Sequence, residues 1–276
     1  MTVARRGLIA SVLSLLGGCS PAGLLNSTVS RNGYTRQRDI AYGPLPRQTL
    51  DLYRPQTPRA DGKSVIFFYG GSWDSGAKGD YLFVGQALAS RGIATIIPDY
   101  RLYPEVRFPA FIEDAARATR WAGERVGLSK LFIAGHSAGA HIASMLAANT
   151  PYLADAGVDR MALAGFIGLS GPYDFLPLKS AKLIDIFGGA NRPEIEAITS
   201  AQAPLPRALL LHGLADTTVY PRNSENLAAA WRRAGVPVEL KLYDGVDHVD
   251  VVAAFSDLLH KRATTREDVL AFIDAS

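Results

Sequence analysis

Residues 131–148 read Leu131-Phe132-Ile133-Ala134-Gly135-His136-Ser137-Ala138-Gly139-Ala140-His141-Ile142-Ala143-Ser144-Met145-Leu146-Ala147-Ala148. The first four residues are a short apolar run of the kind found in strands buried on both faces. Ala140–Ala148 carries a helical pattern. Between them stands G-x-S-x-G, so the stretch reads strand, sharp turn, helix. The reason for the pattern is steric. A sharp turn strains the serine and lifts its Oγ above the sheet, and only small residues on either side avoid the neighbouring strand and helix. The Ala138 N–H falls at a helix N-terminus, where unpaired donors and the helix dipole favour a developing oxyanion. Ser137 is therefore the candidate nucleophile and Ala138 a candidate oxyanion donor.

Outward from this stretch, further apolar runs alternate with helical patterns. The predicted strands are Thr49–Tyr53, Val65–Tyr69, Ala94–Pro98, Leu131–Ala134, Phe166–Leu169, Ala208–Leu211 and Val238–Tyr243. Phe111, Ala115, Ala118 and Ala122 fall on one helix face, as do Leu227 and Trp231. Thr264-x-x-Glu267 has the form of a capping box before Val269, Leu270 and Ile273. Strand–helix alternation predicts an α/β domain with a mostly parallel central sheet flanked by helices on both faces. Residues 172–203 break the alternation and read as a short cap-like insertion over the strand C-termini.

Several motifs in sequence order give the chain a family likeness. They are Leu50-Asp51-Leu52-Tyr53-x-Pro55, Tyr69-Gly70-Gly71-Ser72-Trp73, Asp99-Tyr100-Arg101-Leu102-x-Pro104-Glu105, Gly135-His136-Ser137-Ala138-Gly139-Ala140-His141 and His212-Gly213-x-x-Asp216. From about Asp39 to its end the chain resembles α/β-hydrolases of the carboxylesterase type, near the feruloyl-esterase-like and kynurenine-formamidase-like branches. The resemblance implies an α/β-hydrolase fold and a Ser–acid–His triad in that chain order. Five histidines are present. His248, in a loop after the last strand, is the expected base, whereas His260 reads as a surface residue near a helix end. Asp216, after the Ala208–Leu211 strand, is the expected acid, with Asp244, Asp247 and Asp250 as rivals near His248. Asp250 also fits as an N-cap for the helical stretch that follows. His136 and His141 are four apart, but no third ligand accompanies them, so packing around the elbow is expected and no metal.

The adjacent glycines at 70 and 71 allow the main chain to approach a ligand closely. Gly71 and Ser72 are the candidate oxyanion donors beside Ala138. The family pattern is His-Gly-Gly-x-Trp, and here Tyr69 replaces its histidine. Asp99 and Arg101 are expected to brace this loop. Trp73 and Tyr173 are candidate substrate-stacking surfaces, with core packing as the other reading of both.

The N-terminus reads as an address. Arg5 and Arg6 precede an apolar stretch of 12 residues, too short to span a bilayer. The run ends Leu16-Gly17-Gly18-Cys19, similar to a bacterial lipobox, and Cys19 is the only cysteine. Residues 1–18 are expected to be a signal peptide, Cys19 a lipidation site anchoring the chain to the membrane, and residues 19–38 a tether to a domain at 39–276. Ser20 points to the outer membrane in a Gram-negative envelope. The chain holds 29 Lys+Arg against 26 Asp+Glu. Removing residues 1–18 takes away two arginines and no acid, leaving 27 against 26, which gives no basis for a nucleic-acid partner. With 48% hydrophobic residues the chain is ordinary globular material, and the sequence carries no sign of a particular oligomeric state.

These features predict a serine hydrolase of short-chain carboxylic esters that works without a cofactor on a small-molecule ester. Short chains are expected because apolar and charged residues are mixed in the insertion. Two other readings stand beside it: an arylformamidase acting on N-formylkynurenine, and an inactive hydrolase fold used for binding.

Overall fold

The computed structural model describes residues 21–148 and 150–275. Among the described residues, eight strands form one sheet: β1 (Tyr34–Ala41), β2 (Thr49–Pro55), β3 (Ser64–Phe68), β4 (Ala94–Pro98), β5 (Leu131–His136), β6 (Gly165–Leu169), β7 (Ala208–Gly213) and β8 (Val238–Tyr243). Their spatial order is β1-β2-β4-β3-β5-β6-β7-β8. β1, β2 and β4 pair antiparallel and the remaining pairs are parallel. Every residue of β3, β5, β6 and β7 is buried. Side chains alternate between the two faces of a strand, so both faces of the sheet centre are covered.

The helices are α1 (Pro21–Ser27), α2 (Leu82–Ala89), α3 (Ala110–Val126), α4 (Ala138–Ala147), α5 (Tyr152–Asp155), α6 (Ala181–Phe187), α7 (Arg222–Arg233), α8 (Asp250–Ala253) and α9 (Thr265–Asp274). The faces predicted for α3 and α7 are the buried ones, with Phe111, Ala118, Ala122, Leu227 and Trp231 fully enclosed. The insertion at 172–203 contains α6 and two short 3-10 turns and no strand.

Three sequence expectations need correction. The tether is partly ordered: α1 docks through Asn26, whose side chain donates to the Gly79 carbonyl and accepts from the Phe83 N–H. β1 then begins at Tyr34, inside the same stretch. Its sequence, Tyr-Thr-Arg-Gln-Arg-Asp-Ile-Ala, shows little apolar alternation because it is an edge strand, buried only at Tyr34. Arg36, paired with the buried Asp51 of β2, holds it in place. At α9 there is no capping box. Thr264 Oγ1 donates to Asp268 and Glu267 pairs with Arg266. At α8, Asp250 is not the cap. Asp247 accepts from the Val249 and Asp250 N–H groups, and Asp250 pairs with Arg262. The signal-peptide and Cys19 readings fall outside the described residues.

Candidate active site

The site is built on the turn between β5 and α4. Ser137 sits there at φ 54°, ψ −123°, a region that costs a non-glycine residue roughly 1–3 kcal/mol. Two glycines make the turn possible. A Cβ on Gly139 would lie 2.0 Å from the Phe68 carbonyl oxygen, and one on Gly135 would lie 2.3 Å from the Gly139 carbonyl oxygen. The helix therefore packs directly on β3, and the serine emerges at the C-terminal edge of the sheet.

The loop after β3 runs in the left-handed region for three residues, with φ of 134° at Gly71, 51° at Ser72 and 62° at Trp73. The Gly71 carbonyl is turned inward, where it accepts from Asp74 N–H, Ser75 N–H and Ser75 Oγ. The Gly71, Ser72 and Ala138 N–H groups donate to no partner among the described residues. Tyr69 braces the loop from below. Its hydroxyl donates to Asp99 Oδ1 at 2.9 Å and accepts from Arg47 at 2.8 Å. Asp99 Oδ1 also accepts from the Lys78 N–H, and the Tyr100 hydroxyl donates to the Tyr69 carbonyl. Burial, with Asp99 adjacent, pushes the Tyr69 phenol far above its usual range. Of the pair expected to brace the loop, only Asp99 does so. Arg101 turns away to a bidentate pair with the buried Asp114.

Asp216 and His248 meet across the β7 and β8 loops. His248 Nδ1 lies 2.7 Å from Asp216 Oδ2. The carboxylate can only accept, so Nδ1 carries the proton, and Nε2 is the nitrogen through which the ring can act as a base. Asp216 Oδ1 accepts from the Thr218 and Val219 N–H groups, each at 2.9 Å. His212 Nε2 faces the Val219 carbonyl at 2.8 Å and Asp216 Oδ2 at 3.2 Å. Both are acceptors, so Nε2–H points at them, and Nδ1 accepts from Ser224. Burial alone would raise the Asp216 carboxyl, but the bonds from His212, His248 and the Val219 N–H outweigh it and hold the group well below the usual carboxylate range. The three rivals stand apart from the His248 ring in function: Asp244 is exposed, and Asp247 and Asp250 have the partners given above.

His136 and His141 pack around the elbow. His136 Nε2 bonds the His248 carbonyl and His141 Nε2 the Ile195 carbonyl, both as donors. Burial depresses both rings, to about 3 for His136 and about 4 for His141.

A pocket of about 250 Å³ opens on Ser137. Its lining includes Ser72, Trp73, Ala138, Phe175, Leu183, Thr218, Tyr220 and Arg222. Trp73 reaches it while packed against His141 and Phe187. Tyr173 does not reach it. Its ring is fully enclosed over Gly168 and Gly171, where a Cβ would lie 2.1 and 2.4 Å from Tyr173 atoms. The aromatic surface that the sequence assigned to Tyr173 is supplied by Phe175, two residues on. Glu196, which carries no motif, fixes that loop by accepting from the Phe175 and Leu176 N–H groups at 2.5 and 2.8 Å. Asn223 does the same for Tyr173 and Asp174.

The chain is similar to a probable isoprenylcysteine alpha-carbonyl methylesterase of Oryza sativa subsp. japonica, with 31% identity over 270 residues, covering 88% of this chain and 65% of that protein. It is also similar to a kynurenine formamidase of Danio rerio, at 24% identity, covering 79% and 76%. The chain thus spans less than two thirds of the length of the plant relatives it matches. Among solved structures, esterase B from Lactobacillus rhamnosis superposes with a TM-score of 0.78 at 21% identity, covering 96% of this chain and 91% of that one. A truncated carbohydrate esterase from gut microbiota gives 0.74 at 20% identity, covering 90% and 98%. The fold is that of the α/β-hydrolases. A family model described as BD-FAE matches residues 50–231, a span that takes in the oxyanion loop, the elbow and Asp216, and the chain belongs to that family.

Proposed function

We propose that the protein is a serine hydrolase that cleaves short-chain carboxylic esters through an acyl-enzyme. The observation that carries this reading is the 2.7 Å pair of His248 Nδ1 and Asp216 Oδ2, with the His248 ring 4.9 Å from that of His136, the neighbour of the strained Ser137. Ser137 Oγ attacks the ester carbonyl while His248 Nε2 takes its proton. Asp216 keeps the ring in the correct tautomer and stabilises the imidazolium. The oxyanion accepts from the Gly71, Ser72 and Ala138 N–H groups, which have no other partner to give up. His248 returns the proton to the departing alkoxide. Water then attacks the acyl-enzyme with His248 again as base, releasing the carboxylic acid and restoring Ser137.

The pocket volume of about 250 Å³ lies below the usual range for small-molecule sites, roughly 300–1,000 Å³. That supports an acyl group of a few carbons against Trp73, Phe175 and Leu183. A series of p-nitrophenyl esters tests the reading: kcat/KM should peak between acetyl and hexanoyl. A maximum at dodecanoyl, with activation at an oil–water interface, contradicts it. The relative named as a kynurenine formamidase keeps a second reading open, since the same groups would cleave a formamide. N-formylkynurenine assayed beside the esters separates the two. The Leu16–Cys19 motif further supports a lipid anchor on Cys19 in a bacterial envelope. Mass spectrometry of the mature chain tests it, and an unmodified Cys19 contradicts it.

A further inference from the structure

The proposed oxyanion loop, nucleophile and base come from three separate segments, and two side chains, the buried His136 and the partly buried Tyr81, link all three. The Gly70 N–H, at the start of the oxyanion loop, donates to the Tyr81 hydroxyl oxygen at 3.2 Å. The same hydroxyl lies 3.2 Å from His136 Nδ1. His136 directly precedes Ser137, and its Nε2 lies 2.9 Å from the backbone carbonyl of His248.

Elementary hydrogen-bond chemistry fixes every direction in this chain. A carbonyl only accepts, so His136 Nε2 carries a proton. Burial keeps the ring neutral, which leaves Nδ1 bare. The Tyr81 O–H must therefore donate to Nδ1, and its oxygen is free to accept from Gly70. The order runs Gly70 N–H to Tyr81 Oη–H, then to His136 Nδ1, and from His136 Nε2–H to the His248 carbonyl. None of these bonds can be reversed without leaving a buried polar group unpaired. Neither side chain lines the pocket that opens on Ser137.

We propose that Tyr81 and His136 are positioning residues that set how the oxyanion donors and the His248 ring stand relative to Ser137. The inference rests on the hydrolase reading above. Its physical content is a placement constraint. A displacement of about 1 Å at reacting groups can cost on the order of 100-fold in rate, whereas three neutral hydrogen bonds contribute only modestly to folding. Tyr81 also packs on Phe67, Tyr69 and Phe83, so Tyr81→Phe removes the hydroxyl and keeps the ring contacts.

The test measures kcat, KM, thermal midpoint and the rate of fluorophosphonate labelling for wild type, Tyr81→Phe, His136→Gln and His136→Leu, with p-nitrophenyl butyrate as substrate. Tyr81→Phe should lower kcat and the labelling rate together, by about tenfold or more, with KM within about twofold and the thermal midpoint lowered by only a few degrees as the Gly70 N–H and His136 Nδ1 lose their partner. His136→Gln, which can still donate to the His248 carbonyl, should retain more activity than His136→Leu. An active wild type whose Tyr81→Phe variant has a lowered midpoint but unchanged kcat overturns the inference alone, because that pattern belongs to a purely structural bond. Equal losses in His136→Gln and His136→Leu, at equal folded fractions, also overturn it. A wild type that takes no label and turns over no ester overturns the hydrolase reading as well.

Discussion

Residues 131–147 and residues 172–203 both border the pocket, and different physics holds them. The elbow is fixed by steric exclusion. β5 and α4 are buried throughout except at Ser137 itself, and two glycines remove the atoms that would collide. The insertion combines enclosed anchors, among them Tyr173, Ile186 and Phe187, with polar contacts. Two ion pairs on its outside, Arg107–Asp185 and Asp74–Lys182, reach from the body to α6, the His141–Ile195 bond ties it to α4, and Glu196 ties its two ends to each other. A part that tolerates no added methyl group suits bond making, which demands fixed geometry. The exposed side of the insertion, reached by exchangeable ion pairs, can change without disturbing Ser137. On the proposed function, chemistry belongs to the elbow and substrate choice to the insertion.

The sharpest way to break that contrast is to add one carbon to the elbow. Gly139→Ala places a Cβ about 2.0 Å from the Phe68 backbone oxygen, and backbone cannot swing aside. The expected result is little or no folded protein on expression, read by circular dichroism. A variant with wild-type stability would mean that the elbow is softer than argued.

Asp216→Asn tests whether the electrostatics of the site are equally fixed. Asparagine presents the wrong partner to His248 Nδ1–H, so kcat should fall by about 10²–10⁴ while thermal stability changes far less. If Asp216→Asn is silent and Asp244→Asn is not, the acid has been misassigned.

The two regions meet at His141, which sits in α4 and bonds the insertion at Ile195. Its folded pKa of about 4 lies below the ordinary histidine value near 6.5, as does that of His136 at about 3. A depressed folded pKa means that stability is complete above pH 6.5 and declines as pH falls toward 4. Each ring contributes up to about 1.4 kcal/mol per pH unit in that window. Urea midpoints measured from pH 7.5 to 4.5 should fall steadily, and less so in His141→Gln. A flat profile contradicts the buried neutral rings.

Smaller effects belong to the insertion. Glu196→Ala leaves two N–H groups unpaired and should cost about 1–3 kcal/mol, with KM raised more than kcat is lowered because Phe175 loses its support. Asp185→Ala, at an exposed pair, should leave the thermal midpoint and kcat/KM essentially unchanged. Equal effects from the two variants would erase the distinction between an inner tie and an outer one.

The same distinction explains what the sequence could reveal. The Ser137 elbow and the pairing of Asp216 with His248 were legible because the turn and the chain order of the expected triad impose short local patterns. The central strands were legible because burial on both faces makes them continuously apolar. β1 was missed because an edge strand held by Arg36–Asp51 looks like polar linker. Tyr173 was misjudged because its burial depends on Gly168 and Gly171 leaving room for the ring. Glu196 and Tyr81 carry no motif, since what they do depends on backbone N–H groups brought near them by folding. The brace of Tyr69 by Asp99 and Arg47 spans residues 47 to 99, and no local spacing encodes it.

The most direct test of the central claim is covalent. The protein is incubated with a fluorophosphonate, digested, and the modified residue located by mass spectrometry. A single adduct on Ser137, lost in Ser137→Ala and strongly slowed in His248→Ala, is the predicted result. An adduct on another residue, or ester turnover that persists in Ser137→Ala, contradicts the account.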